Sequence, residues 1–296
     1  MQVITAYISI VLIWATTPLA IQWSSESVGF LFGISSRMIL GAILALIIIV
    51  LLGKRLATHR KALQTYVASG LGLFTAMLTV YWSAQYIPSG WISIIYGVTP
   101  IITGLFAMKL LGERGLTLFR TLAIIMSIIG LYIMLNTGLQ FGSNTTYGII
   151  GVIASSVFYS LSMVMVKKID ADIDTYSTVT GGLLVSAILY IAVWFGSGIE
   201  IPPEIPFRAG AAIFYLATVG SLLGFFLFYF VLKRVEATRT SLITLIVPVC
   251  ALMLGHFLND EAITNEVITG CVMILSGLLL FEFEGAIRRI KIIDSS

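Results

Sequence analysis

The sequence predicts an all-α polytopic membrane protein: ten transmembrane helices arranged as two inverted five-helix repeats around a central cavity. Three observations predict it. Hydrophobic residues make up 58% of the 296 and charged residues only 10%, with a mean hydropathy of +1.04, whereas a soluble domain carries roughly 25% charge. Apolar runs of about 20 residues, the length that crosses about 30 Å of hydrocarbon, recur along the whole chain. A set of residues then returns in one constant register: Gly72/Gly220, Tyr81/Tyr229, Ser93/Ser241, Pro100/Pro248 and Glu113/Glu261.

The runs fall near 3–22, 29–52, 64–85, 88–111, 117–136, 147–167, 174–196, 208–232, 236–258 and 264–284. The first carries Trp14. It begins at Val3 without a preceding basic segment and lacks a following small-residue cleavage site, so it reads as a retained span and not a signal peptide. The second contains Arg37, about eight residues from its outer edge and roughly 12 Å deep at about 1.5 Å per residue. A charge there costs about 3 kcal/mol or more unless it finds partners. No Asp or Glu lies in the interior of any run. Compensation must come from carbonyls, hydroxyls such as Ser35 and Ser36, water, or an anionic substrate group. A structural or gating role for Arg37 is favoured over direct substrate binding.

The third run ends near Tyr81 and Trp82 and, like the seventh, is diluted by Thr, Ser and Gly. In the fourth run Ser93, Tyr96 and Pro100 are spaced to share one helix face, and in the ninth Ser241, Thr244 and Pro248 share it again. Proline removes a backbone donor and frees a carbonyl that hydroxyls or water can satisfy. The expectation is one bend, present in both halves, beside a polar cavity. Trp14, Tyr81, Ser155 and Tyr159 of the sixth run and Tyr229 of the eighth complete the expected lining, flat apolar faces with polar tips. Tyr86 and Trp91 are expected to be packing or interfacial residues.

Glu113 and Glu261 each precede the next helix, whose N-terminal dipole favours a carboxylate, so loop fixing is expected of them and not proton coupling. Gly29/Gly33 and Gly220/Gly224 are expected to permit close helix contact. Cys250 and Cys271 both lie inside runs and read as packing residues; His59 and His256 have no partner at ligand spacing.

If the N-terminus is cytoplasmic, every Lys and Arg of the 17 except Arg37 and Arg208 falls on the cytoplasmic side: Lys54, Arg55, Arg60 and Lys61; Lys109, Arg114 and Arg120; Lys167 and Lys168; Lys233, Arg234 and Arg239; and Arg288, Arg289 and Lys291. That segregation follows the positive-inside rule and places both termini inside. The net charge of +3 is then a topology signal, not a nucleic-acid footprint.

Five spans per repeat is an odd number, so the second copy runs upside down relative to the first, a recurrent plan of secondary transporters. The chain resembles the EamA-type family of drug/metabolite transporters. The resemblance rests on Trp14-Ala15, Arg37, Tyr81…Pro100…Glu113 and again Tyr229…Pro248…Glu261, followed by Gly270 and Gly277. Leu122 departs from it, standing where the first repeat should match Gly270. The resemblance implies two EamA-type repeats, residues 1–140 and 141–296, around a central cavity. It also implies an exporter of small metabolites, with amino-acid exporters prominent among such proteins.

The resulting expectation is a bacterial inner-membrane transporter exporting amino acids or related metabolites by alternating access. The alternatives are export of drugs or toxic organic compounds, or uptake of a metabolite. The chain has no H-E-x-x-H, no intramembrane acid pair and no Ser with a facing His, so no enzyme is expected. The absence of interior acids also disfavours proton-coupled antiport of cations. No cofactor or metal is expected. The expected partners are a small-molecule substrate and the lipid bilayer, with no nucleic acid and a monomer as the working unit.

Overall fold

The computed structural model describes residues 2–112, 117–141, 144–198, 200–224, 227, 231 and 237–293; within these, the side chains at 2, 135, 137–141, 237–242, 244–245 and 282–293 lie outside the description. The described residues form helices and no strand. In order they are α1 (Gln2–Trp23), α2 (Phe30–Leu51), α3 (Arg60–Ser83), α4 (Ser89–Tyr96), α5 (Thr99–Leu111), α6 (Leu118–Phe141), α7 (Thr145–Ile169), α8 (Thr175–Ser197) and α9 (Phe207–Tyr215). The last of these runs into a π-helical segment, Leu216–Leu223, and α10 (Ala237–Asn259) and α11 (Asn265–Ile293) follow.

Among the described residues six helical stretches are long and apolar enough to cross a membrane: Val3–Trp23, Phe30–Leu51, Arg60–Ser83, Ser89–Leu111, Thr145–Ile169 and Thr175–Ser197. Four shorter apolar stretches accompany them: Leu118–Met134, Phe207–Leu223, Ile246–Asn259 and Asn265–Phe281. Large apolar side chains such as Ile47, Val50, Ile128 and Ile188 point outward, while Ser35, Ser155, Ser156, Ser160 and Ser186 are buried. Apolar outside and small or hydroxyl-bearing inside is the arrangement hydrocarbon selects, because lipid tails solvate Leu and Ile as well as a core does. The chain is a multi-pass membrane protein.

Helices pack most extensively as α6 on α11, α3 on α7 and α8, α2 on α8, α1 on α10, and α5 on α7, with α4 against α10. Missing side chains allow the closest approaches. A Cβ on Gly72 of α3 would stand 2.0 Å from Ser162 Cβ of α7, and one on Gly130 of α6 would stand 2.8 Å from the Gly270 carbonyl of α11. Leu122 is 41% exposed on the outer face of α6. Of the paired glycines, Gly33 lies against the Ser24 carbonyl (2.4 Å from its would-be Cβ) and Gly224 against Trp14 Nε1 (3.3 Å). Gly29 instead supplies a φ of +83° with open space around it, and Gly220 meets only its own turn.

The matching bend at the two prolines needs correcting. Pro248 lies inside the unbroken α10. In the fourth run the helix stops at Tyr96, and Pro100 stands in the first turn of α5, where its missing N–H is no loss. Gly97 and Val98 donate to Ile94 O (2.9 Å) and Ile95 O (3.1 Å), tightening the chain into three-residue turns before the proline. Before Pro248 the position matching Gly97 is Leu245. Trp91 is 1% exposed, packed in the core and not in an interfacial belt.

Candidate functional site

Arg37 is delivered to the interior by α2, which packs against α8 and the π-helical segment. It is 6% exposed. Its Nη1 donates to Tyr81 Oη at 3.4 Å and its Nη2 to Ser221 Oγ at 3.3 Å, while Nε is buried without a partner. The Tyr81 ring centroid lies 6.0 Å from Cζ. Ser24 Oγ also donates to Tyr81 Oη, at 3.3 Å. Tyr190, fully buried on α8, fixes its hydroxyl on Phe74 O at 2.9 Å. Ser221, Ser24 and Tyr190 were not anticipated from sequence. The signal was present in the hydroxyls of apolar runs, but nothing in the spacing linked them to Arg37.

Ser221 reaches Arg37 from a widened turn. The Gly224 N–H bonds back to Val219 O, and Thr218 Oγ1 donates to Phe214 O at 2.7 Å, taking up a carbonyl of the preceding turn. Such π turns in apolar helices concentrate at functional positions.

A second group joins α4 to α7. Tyr96 and Ser155 share a short hydroxyl–hydroxyl hydrogen bond, and Ser155 Oγ also donates to Ala76 O of α3 at 2.5 Å. Tyr159 is half-buried one turn beyond Ser155 on α7. Below them Thr103 Oγ1 donates to Ser160 Oγ at 3.0 Å. Ser93 is buried on the same short helix, and Pro100 is half-buried.

Trp14 stands apart, in an apolar cluster with Ile10, Val231, Ile243 and Val247. Two residues on, Thr16 Oγ1 and Tyr215 Oη are 2.6 Å apart. Pro248 is buried in α10. Tyr229 and Glu113 lie outside the described residues, as do the side chains of Ser241 and Thr244.

At one end of the bundle, the connection after α10 closes over the start of α4. Glu261, 8% exposed, accepts from the Ser89 N–H (2.8 Å), the Gly90 N–H (3.0 Å) and Asn259 Nδ2 (3.2 Å). It does fix a loop, but by capping a helix of the first half and not the one that follows it. Asn259 Nδ2 also reaches Gln22 Oε1 (3.3 Å), and Gln22 Nε2 holds the Ile87 carbonyl (2.8 Å). Arg208 stacks over Trp23 at 4.2 Å and pairs with Glu26 at 3.5 Å. A cavity of about 340 Å³ opens beside them, lined by Gln22, Gln85, Tyr86, Trp91, Asn259 and Glu261 among others. At the opposite end Lys54 bonds Asp174 at 2.6 Å. Burial alone would raise the Asp174 carboxyl, but the hydrogen bonds from Lys54 and from Ser177 outweigh it and hold it below the usual range.

Apolar helices around a hydroxyl-bearing interior, with the Arg37 guanidinium buried among them, describe a polytopic membrane protein. The chain belongs to the EamA-like transporter family, which matches residues 1–136 and 146–283. It is 22% identical over 294 residues to an uncharacterized transporter, YoaV, of Bacillus subtilis, covering 98% of this chain and 99% of that one. It is 25% identical to the uncharacterized inner membrane transporter YedA of Escherichia coli K12 (88% and 84% covered) and 23% identical to protein PecM of Dickeya dadantii (79% and 78% covered). A crystal structure of a protein at 18% identity superposes with a TM-score of 0.63 over 95% of this chain and 97% of that one, which establishes the common fold.

Proposed function

We propose that the protein is a bacterial inner-membrane secondary transporter exporting amino acids or related small metabolites. In this reading ten spans form two inverted halves, residues 1–140 and 141–296, both termini are cytoplasmic, and the halves alternate in opening to either side. The supporting observation is the pattern of helix contacts. When each span is exchanged for its counterpart five spans away, the most extensive pairings map onto one another. The α1–α10 contact becomes α7 against α4 and α5; the α3–α8 contact becomes α2 against α9 and its π-helical segment; α2–α8, α4–α10 and α6–α11 return to themselves.

Polar groups lie on the seam this exchange defines. Arg37–Ser221, Tyr96–Ser155 and Thr16–Tyr215 each join one half to the other. Hydroxyls facing hydroxyls at an interface between halves suit a path that water and a polar solute enter in turn, with substrate sites near the repeat interface. Trp14, Arg37, Tyr81, Ser93, Tyr96, Pro100, Ser155, Tyr159, Tyr229, Ser241, Thr244 and Pro248 are the proposed lining.

The test is flux through the purified protein in liposomes with a panel of amino acids and metabolites, with and without a pH gradient. Movement of amino acids above protein-free liposomes supports the reading. Movement of lipophilic drugs instead transfers it to the multidrug branch. No movement of any solute ends it.

A further inference from the structure

At Arg37 the fold leaves a buried charge incompletely answered. A guanidinium carries five N–H donors in a planar fork. Here Nη1 and Nη2 each have one contact, at 3.4 and 3.3 Å, and Nε has none. Both distances exceed the ordinary N–H···O range of about 2.7–3.2 Å. Among the described residues no carboxylate pairs with Arg37. The contrast with the end of the bundle is direct. The Glu261 carboxylate has three donors at 2.8–3.2 Å. Unmet donors on a guanidinium at that depth are costly, so an unfilled edge of the fork favours an incoming acceptor.

From this geometry we propose that Arg37 is the docking point for the carboxylate of the transported solute. The proposal rests on the transport reading and names its substrate class. The Nε and Nη2 hydrogens form one edge of the fork and match the two oxygens of a carboxylate. That edge holds the unpartnered Nε and the long contact to Ser221. An incoming carboxylate takes Nε and Nη2 together and displaces the Ser221 hydroxyl, replacing a weak link between the halves with a charge-assisted pair. Charge fixes the class further. Arg37 is the one basic residue in the interior of any apolar run. It balances a monoanion and leaves a phosphate dianion with excess charge. Tyr81 supplies an aromatic face and a hydroxyl beside it.

Two assays on the full-length protein decide the matter. In detergent, L-leucine and isovalerate serve as carboxylate probes, with L-leucinamide and inorganic phosphate as controls, and thermal unfolding is the readout. In liposomes, leucine and leucinamide fluxes are compared. Both carboxylates are expected to raise the unfolding midpoint and both controls to leave it unchanged. In Arg37→Gln the concentration needed rises by at least about tenfold. Ser221→Ala removes the competing hydroxyl without touching the charge, so it keeps or strengthens the carboxylate response and remains informative if Arg37→Gln fails to fold. A leucinamide response equal to that of leucine, an undiminished response in Arg37→Gln, a response lost in Ser221→Ala, or no carboxylate response in the native protein overturns the proposal. Carboxylate binding without liposome flux removes the transport reading and leaves the site; flux indifferent to the carboxylate removes the site and leaves transport.

Discussion

The Glu261 carboxylate caps the first turn of α4 through the Ser89 N–H at 2.8 Å, although the two residues belong to opposite halves of the chain. A short helix buried at its start needs an acceptor for its leading N–H groups, and Pro88, which precedes it, offers no side-chain bond. The capping carboxylate therefore comes from the connection after α10. Glu261→Ala leaves the Ser89 and Gly90 N–H groups without their acceptor. Thermal unfolding in detergent is expected to report a loss of about 1–3 kcal/mol.

Gly255 belongs to the same device. A Cβ there would stand 2.2 Å from Glu261 Oε2. Gly255→Ala is expected to be destabilising by pushing the carboxylate off Ser89 and Gly90. In the Glu261→Ala background the same change meets no carboxylate and costs much less. A double-mutant cycle on unfolding midpoints checks this, and additivity of the two substitutions contradicts it.

Along the α6–α11 contact, Gly130 and Gly270 allow backbone to meet backbone. Gly270→Leu must separate the helices and is expected to lower the unfolding midpoint by an amount equivalent to about 1–3 kcal/mol. Leu122→Gly, on the exposed face of α6, opens no void in the core; it is expected to shift stability by about 1 kcal/mol, the helix propensity difference alone.

Acid should loosen the Lys54–Asp174 end of the bundle. The Asp174 carboxyl is held below its ordinary value in the folded protein. Its contribution is therefore complete above the ordinary carboxylate range near about pH 4 and is lost as pH falls through the lowered value. Both side chains are well exposed, at 38% and 42%, which limits the pair to less than about 1 kcal/mol. Unfolding midpoints against pH are expected to show a shallower acid limb in Asp174→Asn than in the native protein.

Tyr96→Trp tests the seam between α4 and α7. The larger ring displaces the bond to Ser155 and fills the space the hydroxyl pair occupies. Flux in liposomes is expected to fall by about tenfold or more with insertion and yield preserved, because a packed interior has no room for added volume. Undiminished flux shows that this face lies off the path.

What the sequence determined by itself was the solvent. Its apolar runs, its scarcity of charge and the placing of Lys and Arg follow from the transfer energy of side chains into hydrocarbon, which each segment registers alone. The family pattern and the buried depth of Arg37 were legible for the same reason. Tertiary structure decided everything that depends on which hydroxyl, carbonyl or carboxylate meets which helix. Ser221 reaches Arg37 because a π turn widens the helix after Tyr215. Pro100 begins a helix where Pro248 continues one, because the chain tightens into three-residue turns at Gly97 and Val98. Glu261 caps α4 and not its own neighbour, because the two lie at the same end of the bundle. Such pairings depend on distances between spans remote in the chain, and no local pattern of residues encodes those distances.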